Sequence, residues 1–169
     1  MKIVAISLAL MLTAVTGFAV SDQITKIHDL TFVSTLELSV PEPAGLDALL
    51  IVHPKDAKSG VEKMSITAVR FPADAVGAGG MSDAELLEYV KTVFLATSRP
   101  GTPVERTFLA RKVLGEALEK SIPTPARAEV YVVSLKTGAK VVLGFVFAPD
   151  FAAQAGQVIA EVAASLRED

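Results

Sequence analysis

The chain of 169 residues contains no cysteine, which excludes thiol chemistry and disulfide stapling. Its 16 Lys and Arg stand against 19 Asp and Glu, scattered rather than clustered, which leaves no basic face and excludes nucleic acid as a partner. The densest basic pair, Arg111-Lys112, sits in a strand-like stretch beside Glu105 and Glu116.

Residues 1–21, MKIVAISLALMLTAVTGFAVS, read as a secretory signal peptide. Lys2 supplies the positive n-region, Ile3 to Val15 the apolar h-region, and Gly17-Phe18-Ala19 a small-x-small processing site. The expected leader is 1–19, cleaved after Ala19, with Ser21 as the alternative end because Ala19–Ser21 repeats the pattern. An uncleaved anchor is the competing reading, but Ser7, Thr13, Thr16 and Gly17 dilute the run of about 20 apolar residues that a spanning helix wants. With no cysteine to acylate, a lipoprotein is excluded. The expected location is the bacterial periplasm or outside the cell, and a disulfide-free domain suits the periplasm. Loss of Lys2 leaves 15 basic residues against 19 acidic ones, a net charge of -4. Residues 20–169 then form a single domain without linker or repeat, large enough to bury about two thirds of its unfolded surface.

Leu30 to Val40 alternates, with Leu30, Phe32, Leu36, Leu38 and Val40 on one face, and predicts a strand stopped by Pro41 and Pro43. Ala48 to His53 and Met64 to Phe71, ended by Pro54 and Pro72, predict two more. Ser82 to Ser98 predicts a helix. Ser82-Asp83-Ala84-Glu85 is a capping box in which the serine oxygen accepts from the Glu85 amide and the glutamate reaches back. Leu86, Leu87, Val90, Val93 and Phe94 make one stripe at helical spacing, and Pro100-Gly101 ends it. Thr107 to Val113 and Glu116 to Ile122 read as strands. Glu129 to Lys136 and Lys140 to Phe147 form a hairpin through Thr137-Gly138. Val141 to Phe147 (VVLGFVF) has no polar face, so it predicts a central strand covered on both sides. Asp150 is placed to cap a last helix running to about Leu166, with Phe151, Ala155, Val158, Ile159, Val162 and Leu166 along one side and Arg167 complementing its C-terminal dipole. The order is three strands, a helix, four strands and a helix. The expected class is α+β: an αβα sandwich around a largely antiparallel sheet of about six to seven strands, with two main helices.

With an early strand ending in proline (LELSVPEP), a strand before a capped helix (SITAVRFP, SDAELLEYVKTVFL), a long hairpin (AEVYVVSLKTGAKVVLGFVFAPD) and a closing AEVAASLRED, the chain resembles the PsbP/Mog1/DcrB-like superfamily over most of residues 20–169. The resemblance implies an αβα sandwich that generally works by binding. Members include photosystem accessory proteins of the thylakoid lumen, a nuclear binder of a small GTPase, bacterial envelope proteins and cytoplasmic chaperones of secreted effectors. Such a fold hosts unrelated roles and does not choose among them, although the leader argues against the cytoplasmic and nuclear ones. No functional motif matches position by position, so no family binding residue carries over.

The inventory for catalysis is thin, and no catalytic residue and no cofactor are expected. His53 with Asp56 offers two metal ligands that His28-Asp29 would complete. A stable zinc site needs three or four converging ligands and Pro54 points to a turn, so no metal is expected. Ala75 to Met81 (AVGAGGM) leads into the capped helix, where backbone amides hold anions. It lacks the P-loop lysine, and Asp83 and Glu85 already occupy the positive end of the dipole. It is read as a connection whose Gly77, Gly79, Gly80 and Met81 form a candidate partner-contacting loop. The pairs Glu85/Glu88 and Glu116/Glu119 are read as solvated faces rather than acid–base machinery. Arg106 and Arg111 would hold an acidic ligand only from different strands or across a bulge.

These readings predict an exported, periplasmic, non-enzymatic binding domain acting through a protein partner or envelope assembly, with no membrane span after leader removal. The alternative is a carrier of a small apolar or lipid-like ligand, consistent with 51% hydrophobic against 21% charged residues. A cavity between the Ser82 helix and the sheet marks the carrier; a solid core with an exposed apolar patch marks the protein binder. A hydrolase, third, requires a cleft gathering His53 with carboxylates.

Overall fold

The computed structural model describes residues 22–57, 62–76, 79–97, 99–120 and 124–169; the leader and its cleavage sites, and Gly77, lie outside them. The elements in chain order are β1 (Gln23–Ile27), β2 (Leu30–Ser34), β3 (Glu42–Gly45), β4 (Ala48–His53), β5 (Met64–Phe71), α1 (Asp83–Phe94), β6 (Thr102–Phe108), β7 (Arg111–Lys120), β8 (Ala126–Ser134), β9 (Lys140–Phe147), α2 (Ala152–Ser165) and β10 (Arg167–Glu168). Among the described residues, seven strands form an antiparallel sheet in the order β3-β4-β5-β9-β8-β7-β6, and β1-β2-β10 form a second, smaller one.

The apolar strand β9 lies at the centre of the large sheet, paired along its length with β5 and β8. One face of it carries Val141, Leu143 and Phe145 into a core shared with Ile66, Tyr131 and Val133, covered by α2 and the small sheet. The other carries Val142 into a second core with Val69, Val130 and Val132, covered by Leu86 and Val90 of α1. The expected αβα sandwich is therefore present. Its two layers follow from one strand having no polar face.

Gly115 of β7 opposes Tyr131 of β8, and a Cβ there would lie 2.5 Å from the tyrosine ring. Only glycine lets that ring lie across the strand, where it meets Phe108 at a centroid distance of 5.0 Å.

Several boundaries differ from the sequence-based expectation. The strand expected over Leu30 to Val40 stops at Ser34, whose hydroxyl takes the amide of Leu36 at 3.0 Å and turns the chain. Leu38 returns to the core, but Val40 is 77% exposed. The helix expected to reach Ser98 ends at Phe94, because the amides of Leu95 and Thr97 both fold back on the Lys91 carbonyl and Ala96 adopts φ 50. The strand expected over Thr107 to Val113 is a hairpin turn: Leu109 and Ala110 take φ 49 and 59 between β6 and β7. Such turns favour Asn-Gly, so this one carries no signal. Asp150 does not cap α2; its carboxylate accepts from Lys63 at 2.8 Å, and a 3-10 turn over Pro149–Phe151 starts the helix. Arg167 lies on β10, beyond the helix end. β1, β3, β10 and all of β6 before Thr107 fall outside the strands the sequence pattern predicts.

Candidate functional site

Helix α1 has 12 residues, a length of about 18 Å, whereas the 9 residues of β8 beneath it span about 30 Å. The helix therefore covers only part of its side of the sheet. Beyond its C-terminal turn lies a half-open groove of about 300 Å³. Leu50, Leu118, Ala128 and Val146 from four strands make an apolar floor, and Phe94 and Leu95 make the wall. Ser65 and Thr67 of β5 line it as well. Thr67 is only 7% exposed, and neither hydroxyl has a hydrogen-bond partner among the described residues. Arg127 at the rim is paired with Glu119 at 3.4 Å.

The wall is held by a buried ion pair. Lys91 of α1 is fully buried and donates to Glu116 of β7 at 2.8 Å and to Glu88. Glu116 also accepts from the amide of Gly101 at 3.1 Å, which ties the post-helix connection to the same carboxylate. A Cβ at Gly101 would meet the Ala117 carbonyl at 2.8 Å, so the approach to β7 requires glycine. Burial pulls the Lys91 ammonium down, but its hydrogen bonds to Glu116 and Glu88 outweigh this and leave its pKa above the ordinary value. Of the carboxylates expected on solvated faces, Glu85, Glu88 and Glu119 are exposed, while Glu116 is half-buried and joins Glu88 in holding Lys91; Glu85 also closes the capping box on Ser82. The Glu88–Lys91 spacing of three was a visible helical pair; Glu116, 25 residues on, was not.

On the opposite side of the sheet, Arg106 donates to the Tyr131 oxygen at 3.2 Å and pairs with Glu129 at 3.2 Å, and the tyrosine hydroxyl donates to Glu129. Burial first, and then the bond to Glu129, raise the Tyr131 pKa. This cluster locks β6 to β8 across Gly115. Arg106 and Arg111 lie on different strands, and Arg106 is committed to Glu129.

The two histidines are apart and engaged separately. His28 donates from Nε2 to the Ala68 carbonyl at 3.2 Å, in the β1–β2 turn. His53 donates from Nδ1 to the Glu37 carbonyl at 2.8 Å and stacks on Phe151 at 5.4 Å. No group of three or more His, Asp or Glu converges as a metal set among the described residues. In the glycine-rich connection, Gly79 and Gly80 are exposed. Met81 is half-buried against the α1-side core, and its amide donates to the Ala75 carbonyl at 3.0 Å. Among the described residues, the large apolar side chains that remain exposed, Ile24, Val40, Leu46, Val93 and Leu114, are spread over five separate parts of the chain. No helix among the described residues is long and apolar enough to cross a membrane.

No family model and no curated protein matches the sequence. Solved structures match the fold. The Ran-binding protein Mog1p of Saccharomyces cerevisiae is similar at 11% identity with a TM-score of 0.54, over 89% of this chain and 96% of Mog1p. A protein of Bacteroides thetaiotaomicron is similar at 11% identity with a TM-score of 0.52, over 88% of this chain and 48% of that one. The chain thus spans about half the length of the Bacteroides protein. These likenesses show a Mog1-like α+β fold.

Proposed function

We propose that this chain is an exported, non-enzymatic binding domain that engages a protein partner in the bacterial envelope. The observation that carries the reading is the likeness of nearly the whole chain to nearly the whole of Mog1p, a protein named for binding another protein. The apolar leader with its small-x-small ends supports export. The carboxylates that acid–base work would need are engaged in structural pairs, which supports a binding role.

In-cell crosslinking of a C-terminally tagged chain, followed by mass spectrometry of the adducts, tests this. One reproducible envelope protein is the expected result. Monomer alone, with an N-terminus near Val20, would keep export and remove the partner. A second reading, the carrier of a small apolar molecule, is favoured by the groove, which opens beyond the C-terminal turn of α1 over the uncovered part of the sheet.

A further inference from the structure

We infer that the groove beyond the C-terminal turn of α1 is a binding site for a small apolar molecule carrying one neutral hydrogen-bonding group. The inference rests on the carrier reading and supplies its ligand class. The hollow is a property of the sequence. Beneath α1 the sheet carries Val69, Val130, Val132 and Val142, but on the same face of the same strands the groove floor carries Ser65, Thr67 and Ala128. Gly144 faces Thr67 across β5 and β9, and a Cβ there would make only ordinary contact, at 4.0 Å. The sheet has room for more bulk and does not use it.

The lining then sets the chemistry. Leu50, Phe94, Leu95, Leu118 and Val146 favour an apolar body. Thr67 is nine-tenths buried, and its hydroxyl, which has no protein partner among the described residues, is reached only through the groove. Ser65, two residues along the same face of β5, offers a second unpartnered hydroxyl. A ligand with one neutral hydroxyl or carbonyl satisfies Thr67 and buries its remainder on the floor. Glu62 also lines the groove and disfavours a carboxylate, and Arg127, the cation that lines it among the described residues, is held by Glu119. A volume of about 300 Å³ lies at the small end of ligand sites and fits on the order of a dozen heavy atoms, not a two-chain lipid.

The test is equilibrium dialysis of the secreted chain against 2-naphthol and naphthalene, which share a body and differ by one hydroxyl. Both should bind at one per chain, with 2-naphthol the tighter by about fivefold, the worth of one net hydrogen bond. Thr67→Val keeps the shape and removes the hydroxyl, so it should erase that preference and leave naphthalene binding unchanged. Ser65→Phe should fill the groove and abolish both. No saturable binding to the folded wild type, or a preference that survives Thr67→Val, would overturn the site. So would an envelope protein crosslinked through Phe94 or Leu118 that displaces 2-naphthol, since the groove would then belong to a protein segment. Failure here leaves the partner reading standing, because in-cell crosslinking reads it independently.

Discussion

The two faces of the central sheet are built from the same strands, yet one is closed and the other half open. On the α2 side, a helix and a three-stranded sheet together cover Phe145, Leu143 and Tyr131, and all three are completely buried. On the α1 side, one short helix does the covering alone, and the sheet runs on past its end into the groove. The difference lies in length and layer count rather than hydrophobicity, since both sides are apolar. A face that needs two elements and has one keeps a recess, and a largely apolar recess with the unpartnered hydroxyls of Ser65 and Thr67 has the make-up of a ligand site.

Substitutions on the two sides should therefore cost different amounts. Phe145→Ala leaves an enclosed cavity and should lose about 3–5 kcal/mol in urea unfolding. Lys91→Ala strips Glu116 of its cation and frees the groove wall; a loss of about 3 kcal/mol is expected, the low end for breaking a buried pair because Glu116 is a quarter exposed. Leu118→Ala only widens a groove already open to water, and should cost about 2 kcal/mol; a loss equal to that of Phe145→Ala would show the groove to be closed. Ser82→Ala removes the α1 cap and should cost about 1 kcal/mol, read in the same way.

Acid and alkali should separate the tethers of the two sides. Glu161 of α2 accepts from the amide and hydroxyl of Thr35. Burial alone would raise its carboxyl, but these bonds outweigh it and hold the pKa below the ordinary 4.5. That stabilisation is present above pH 4.5 and lost as pH falls through the folded value, so the melting-temperature gap between wild type and Glu161→Gln should close in acid. The Lys91 pKa is raised above the ordinary 10.5, so its contribution is present below that pH and lost as pH rises through the folded value. The gap between wild type and Lys91→Ala should close in alkali.

The parts of the fold that were legible are those whose signals are local. The capping box at Ser82, the doubly apolar β9 and the Thr137-Gly138 turn each announce themselves within a few residues. β3 was illegible because EPAG carries no strand preference and owes its place to β4. The Leu109-Ala110 turn was hidden because its left-handed residues are neither glycine nor asparagine. For the groove, the glycine loop that drew attention is a connection whose Met81 packs inward. A usable signal lay elsewhere, in the alternate small residues Ser65 and Thr67 on β5 and Ala126 and Ala128 on β8. Their meeting under the end of α1 depends on strand order, which no local pattern carries.

Methyl-resolved NMR of residues 20–169 during titration with 2-naphthol tests most directly that binding belongs to the half-covered side. Ring-current shifts confined to Leu50, Leu95, Leu118 and Val146 are predicted, with Leu143, Val158 and Ile159 of the closed side unmoved. Shifts centred on Val158 and Ile159, or none at saturating ligand, would contradict the account.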